Sequence, residues 1–335
     1  MESDHMITVT LFGREGCHLC DYVREMLGEL QTEVPHELVE IDIERDGDLT
    51  AAYGSDIPVV EVGPYSVRFP FTRQDLLMTL RAARDRVSQF EKLEDKQFAE
   101  QRKRGQSISR LDRLAYWFSR HYLLVFNLLV IVYVGLPFAA PVLMKVGASR
   151  PARVIYFIYG MLCHQLAFRS WFLFGEQPFY PRAAAGVVGV IPYGEATGLS
   201  EFDVVTAAKF IGNELLGYKV ALCQRDVAIY AGILLFGLIF ALSKRRLPSL
   251  HWSLWFLLGI LPIGIDGLTQ VMSQPPINLL PYRESMPLLR TFTGLSFGFF
   301  NAWLGYPMIE EAMADTRRFM AAKFQRLRLD LGVKG

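Results

Sequence analysis

Three patterns of apolar and polar positions follow one another along the chain. Over residues 7–84, short strand-like runs alternate with stretches of helical spacing. The pattern predicts strands over 7–12, 37–43, 59–62 and 66–71, and helices over 21–30, 48–53 and 72–83. Residues 85–121 carry mixed charge and few apolar positions until Ile108, Leu111, Leu114, Ala115 and Phe118 recur at helical spacing, opposite Arg110, Arg113 and Arg120. That predicts a charged linker ending in an interfacial amphipathic helix. Long uncharged runs begin at 122. Tyr122–Met144 has 23 residues without a charge, enough to cross a hydrocarbon core of ~30 Å. Further apolar runs follow at 222–242, which includes Arg225 and Asp226, at 252–272, which includes Asp266, and at 291–309, and 314–335 reads as a basic tail.

These runs define an integral membrane domain over 122–313. A six-span arrangement would have 153–174 and 183–222 cross as well, but Glu201, Asp203, Lys209, Glu214 and Lys219 make the second of these crossings unfavourable. The preferred reading is an all-α transmembrane bundle of four spans plus a re-entrant or interfacial segment; six spans is the alternative. Basic residues set the orientation. Arg110, Arg113 and Arg120, then Lys244-Arg245-Arg246, then Arg317, Arg318, Lys323, Arg326 and Arg328 all fall on one side under four crossings. That side is expected to be the cytoplasm, with both termini inside a multi-pass cell-membrane protein. The polar start Met1-Glu2-Ser3-Asp4 does not read as a secretory signal. Net charge is +1, which gives no reason to expect a nucleic-acid partner. The expected partner surface is the lipid bilayer.

The chemistry begins at Cys17-His18-Leu19-Cys20, which follows a strand and a Gly13–Gly16 turn and opens a helix. Free N–H groups and the dipole of a helix N-terminus favour a thiolate there. In a reducing compartment such a pair points to thiol–disulfide exchange. A zinc pair would need two more ligands, and only His18 and His36 are near in sequence. The order of elements suggests a thioredoxin-type α/β fold. The stretch Phe12 to Asp21, with Ile57-Pro58 downstream, resembles the compact glutaredoxin-like family with a C-H-L-C-[DE] site. The resemblance implies Cys17 as attacking thiolate, Cys20 as resolving thiol and Pro58 as a cis docking proline. It also implies a cytoplasmic reductant of thioredoxin or glutathione type.

The other two cysteines lie in the membrane domain. Cys163-His164-Gln165 precedes Arg169-Ser170, and Cys223-Gln224-Arg225-Asp226 opens the second apolar run. Asp266-Gly267 with Gln270, and Arg290 with Thr293-Gly294, follow. Ionisable groups at membrane depth are costly and point to function. Asp266 is expected to pair with Arg225 or Arg290, with Gly267 admitting a close neighbour. These words resemble an uncharacterised bacterial and archaeal family of polytopic membrane proteins with C-H-Q-x-x-x-R-S, C-x-R-C, D-G-x-x-Q and R-x-x-T-G elements. Two departures stand out: Asp226 replaces the second cysteine of C-x-R-C, and 177–222 is a longer insertion.

Two chemistries stay open. Cys163 and Cys223 could act with Cys17 and Cys20 in a membrane-anchored oxidoreductase that relays reducing equivalents across the bilayer. Alternatively, Cys163, His164, Cys223 and Asp226 could hold zinc, with the redox domain as accessory. Cys163, Cys223, Asp266 and Arg290 are expected to converge on one outer cavity.

Overall fold

The computed structural model describes residues 6–92 and 107–330; the expected charged stretch at 93–106 lies outside them. The chain forms two compact units, residues 1–121 with 311–335, and residues 122–310.

The first unit is a four-stranded mixed sheet. Strands β1 (Ile7–Gly13), β2 (His36–Asp42), β3 (Val59–Val62) and β4 (Tyr65–Arg68) lie in the order β2-β1-β3-β4. The β1–β2 pair is parallel and the others are antiparallel. A parallel pair needs a crossover, supplied by helix α1 (His18–Leu30). Helix α1 and helix α3 (Arg73–Lys92) bury Val23, Leu27, Leu76 and Leu80 against Val9, Leu11, Val60 and Val62. Helix α2 (Gly47–Tyr53) starts on an Asp46 cap whose carboxylate accepts from the Asp48 and Leu49 amides.

The sheet's other face is covered by chain ends. Helix α4 (Arg110–Lys145) places Tyr116, and helix α10 (Pro287–Asp330) places Ala321, in a cluster with Phe12, Val39, Ile41 and Val59. Tyr116 donates to Asp46 at 3.1 Å. Arg317, buried, donates to Asp48 at 3.0 Å and to the Ser119 carbonyl at 2.9 Å. The segment read as a basic tail is therefore helical as far as Asp330, with Arg317 and Ala321 packed. Leu111 and Leu114, on the face expected to be interfacial, stay exposed, while Tyr116 on the same helix packs against the sheet.

In the second unit, three helices among the described residues are long and apolar enough to cross a membrane: α4, α8 (Gln224–Leu242) and α9 (Trp252–Met272, with a π-helical stretch at Phe256–Ile260). Leu128 and Leu129 of α4 and Leu268 of α9 face outward, as lipid-facing residues do. The fourth expected span, 291–309, lies within α10. Thr291, Thr293, Ser296 and Asn301 dilute its apolar character, so α10 is not among the three.

Between α4 and α8 lies more than the expected re-entrant or interfacial segment. After helix α5 (Ser149–Gly160), strands β5 (Ser170–Leu173), β6 (Gly212–Asn213) and β7 (Gly217–Cys223) form an antiparallel sheet in the order β5-β7-β6. Short helices α6 (Tyr193–Thr197) and α7 (Val204–Lys209) fill its long connection. Phe168, Phe172, Tyr180 and Tyr193 form an aromatic core there.

Helices α8 and α10 cross at glycines. A Cβ on Gly298 would collide with the Ile229 carbonyl, and one on Gly294 would lie 2.7 Å from the Arg225 carbonyl. Gly232 of α8 meets the Leu295 backbone in the same way. Small residues let membrane helices approach closely, as in G-x-x-x-G pairs. By contrast, a Cβ on Gly267 would meet only an Arg225 nitrogen at 3.8 Å, so the close approach expected at Gly267 occurs at Gly294 and Gly298. Gly298→Leu must push the helices apart at a cost of about 1–3 kcal/mol or more. Thermal unfolding in detergent should show a lower Tm; an unchanged Tm would contradict this crossing.

Candidate functional site

Cys17 caps α1, its Sγ accepting from the Cys20 amide at 3.2 Å. The spacing that caps the first helical turn therefore also sets the two sulfurs together, and they are joined as a disulfide. Cys17 is half-buried, whereas Cys20 is 3% exposed. A Cβ at position 13 would lie 2.9 Å from Cys20 Sγ, so any larger residue there would displace the buried sulfur. The Phe12–Val59 pairing at the end of β1 sets Pro58 beside the cysteine loop. Pro58 is buried, and the Ile57–Pro58 bond is cis. His18 is exposed. His36 pairs with Ile7 at the far end of β1, away from the cysteine loop, so the ligands a zinc pair would need do not gather there.

In the second unit Cys223 caps α8 in the same manner, its Sγ accepting from the Asp226 amide at 3.4 Å. Cys163 sits in the turn after α5, its amide bonded to the Tyr159 carbonyl at 2.9 Å. Gln165, at φ 48°, reverses the chain. The Ser170–Cys223 pairing then returns it to the start of α8. Cys163 Sγ, Cys223 Sγ and an Asp226 oxygen lie within 4.8 Å of one another. Both thiols are free. A hydrogen bond from Cys223 holds the Cys163 thiol below the ordinary thiol range, against burial and the Asp226 carboxylate. His164, grouped with these residues on sequence grounds, is exposed and outside the cluster. Lys219, fully buried on β7, donates to the Gln165 carbonyl at 2.7 Å and the Ala208 carbonyl at 2.6 Å. Burial pushes its amine down to about 7, with Cys163 opposing.

Two buried carboxylates organise the surrounding arginines. Asp266 pairs with Arg225 and with Arg283 at 2.9 Å, and accepts from Ser285 at 2.8 Å. Glu284 pairs with Arg290, with Arg169 at 2.9 Å and with Arg182 at 3.1 Å. Arg290 also donates to Gln270 at 2.9 Å. Of the two partners expected for Asp266, Arg225 serves it and Arg290 serves Glu284. Burial would raise the Glu284 pKa, but its arginines together hold it below the ordinary carboxylate range.

With this geometry in hand, comparison with known proteins is specific at both ends of the chain. Residues 8–89 match the family described as "Glutaredoxin-like domain (DUF836)". Residues 214–304, which contain Cys223, Asp226, Asp266, Glu284 and Arg290, match the family described as "Predicted membrane protein (DUF2085)". An uncharacterized protein of Methanocaldococcus jannaschii is 25% identical over 186 residues, covering 54% of this chain and 86% of the relative. The protein is thus a membrane protein with a redox-type domain.

Sequence reasoning gave Arg182 and Lys219 no site role and did not identify Glu284 as a hub. Arg182 lies in a loop, and its partner is 102 positions away. The available signal was charge inside apolar surroundings at Lys219.

Glu284→Gln should leave Arg182 and Arg290, 6% and 5% exposed, without a counter-charge. Breaking a buried pair costs about 3–5 kcal/mol. Asp266→Asn should cost less, because Arg225 and Arg283 are 20% and 36% exposed. Since the Glu284 pKa is lowered on folding, its contribution is present above the unfolded carboxylate pKa and lost as pH falls through the folded value. Thermal unfolding in detergent across acidic pH tests both points; an equal loss in the two variants contradicts them.

Proposed function

We propose that this protein is a membrane-anchored thiol–disulfide oxidoreductase acting through Cys17 and Cys20 at the cytoplasmic face of the cell membrane. The observation that carries the reading is a half-exposed Cys17 capping a helix, joined to a buried Cys20, beside cis Pro58. In the reduced state, the Cys17 thiolate attacks a substrate disulfide and expels one substrate thiolate, giving a mixed disulfide. Cys20, as thiolate, then attacks the Cys17 sulfur and expels the second. Two electrons have moved to the substrate, and the Cys17–Cys20 disulfide remains. A cytoplasmic thiol of thioredoxin or glutathione type restores the dithiol by the same exchange. Leu19 and Tyr22, 46% and 54% exposed, give apolar surface beside the thiol on which a substrate segment can dock.

The basic clusters favour four crossings with both termini in the cytoplasm. This supports placing the Cys17 site where a thiol reductant is abundant. A relay across the bilayer would require Cys163 and Cys223 to cycle between dithiol and disulfide. Their free thiols share a cluster with the Asp226 carboxylate, a donor set better suited to another role.

Cys20→Ser in the full chain should accumulate a mixed disulfide through Cys17, and Cys17→Ser should abolish reductase activity. Non-reducing gels and mass mapping of the trapped species check this. Trapping through Cys20 in Cys17→Ser, with activity retained, would overturn the role assignment.

A further inference from the structure

Independently of the redox reading, the second unit carries a cluster that thiol exchange leaves unused. Cys163, Cys223 and Asp226 come from two separate chain segments, and their donor atoms all fall within 4.8 Å of one another. Ligand atoms of a tetrahedral zinc ion are separated by about 3.5–3.8 Å, given Zn–S near 2.3 Å and Zn–O near 2.0 Å. Contraction of about 1.3 Å at most brings this set, within 4.8 Å now, onto one ion.

The fold prepares the arrangement. Cys223 caps α8, and Asp226 sits three residues on, in its first turn. The two donors therefore face the same side of the helix entry, as i, i+3 positions do. Cys163 is fixed from the other side. It packs in a cluster with Tyr133, Tyr156, Tyr159, Leu222 and Val227, and the Ser170–Cys223 pairing anchors its loop. Gln224 Nε2 reinforces that junction by donating to the Ser170 carbonyl at 3.1 Å. The donors are therefore held by elements that would be ordered without an ion.

We propose that Cys163, Cys223 and Asp226 bind a divalent, borderline-soft cation of the zinc class, with the fourth position open to water. Two thiolates with a carboxylate suit zinc better than magnesium or calcium, which take oxygen ligands. Three protein ligands with one open position match the arrangement of reactive zinc sites; structural sites use four. Two thiolates, a carboxylate and a divalent ion leave one negative charge. His164 is exposed and is not a ligand.

The test uses the full chain purified in detergent, with Cys17→Ser and Cys20→Ser so that the first unit supplies no thiol ligand. After zinc loading and desalting, elemental analysis should find about one zinc per chain, as one three-ligand site requires. Cobalt(II) in its place should give thiolate charge-transfer absorption and the intense visible bands of tetrahedral cobalt. Adding Asp226→Asn, which keeps the side-chain size, should weaken zinc binding roughly tenfold or more, and adding His164→Ala should leave it unchanged. Three results would overturn the site: zinc absent from the parent protein while both thiols titrate as free; Cys163 and Cys223 recovered as a disulfide; or binding that needs His164 and ignores Asp226.

Discussion

The second unit depends on one buried carboxylate. Glu284 is 2% exposed and is met by Arg169, Arg182 and Arg290. An isolated charge so deeply buried would be prohibitive; with three cationic partners it becomes a clamp. Each arginine belongs to a different segment. Arg169 immediately precedes β5, Arg182 lies in the loop after it, and Arg290 is in the first turn of α10. One side chain thus fixes the small sheet against the helix that crosses α8 at Gly294 and Gly298. Asp266 repeats the device with Arg225, next to Cys223 and Asp226.

The two units use the same local device at their cysteines. Cys17 and Cys223 each cap a helix and each accept from the amide three residues on. At Cys17 the third residue is Cys20, and the pair can exchange electrons. At Cys223 it is Asp226, which cannot. One residue type at the same offset separates a dithiol from a ligand set.

The first unit was legible because its signals are local. Strand–turn–C-x-x-C–helix occupies adjacent residues, and alternating burial marks β1 and β2. The small sheet of the second unit was not legible. Strand β7 is buried on both faces, so it lacks alternation and merges with the apolar run of α8. Its partner strands have four residues and two, too few to show a period. The cysteine and Asp266–Arg225 pairings could be anticipated from expensive residues in apolar surroundings. The Arg182–Glu284 contact could not, since nothing in either neighbourhood names the other. Gly294 was read as the end of an R-x-x-T-G element, but its spacing of four from Gly298, which lets α8 approach, was not read.

As a working redox couple, Cys17–Cys20 must exchange with the cytoplasmic thiol pool, which a structural staple does not do. The direct measurement is its midpoint potential in the full-length protein, read by thiol trapping across glutathione buffers. A couple of the glutaredoxin-to-thioredoxin class should titrate between about −200 and −270 mV. A pair that stays oxidised below about −300 mV, as structural disulfides do, would contradict the account.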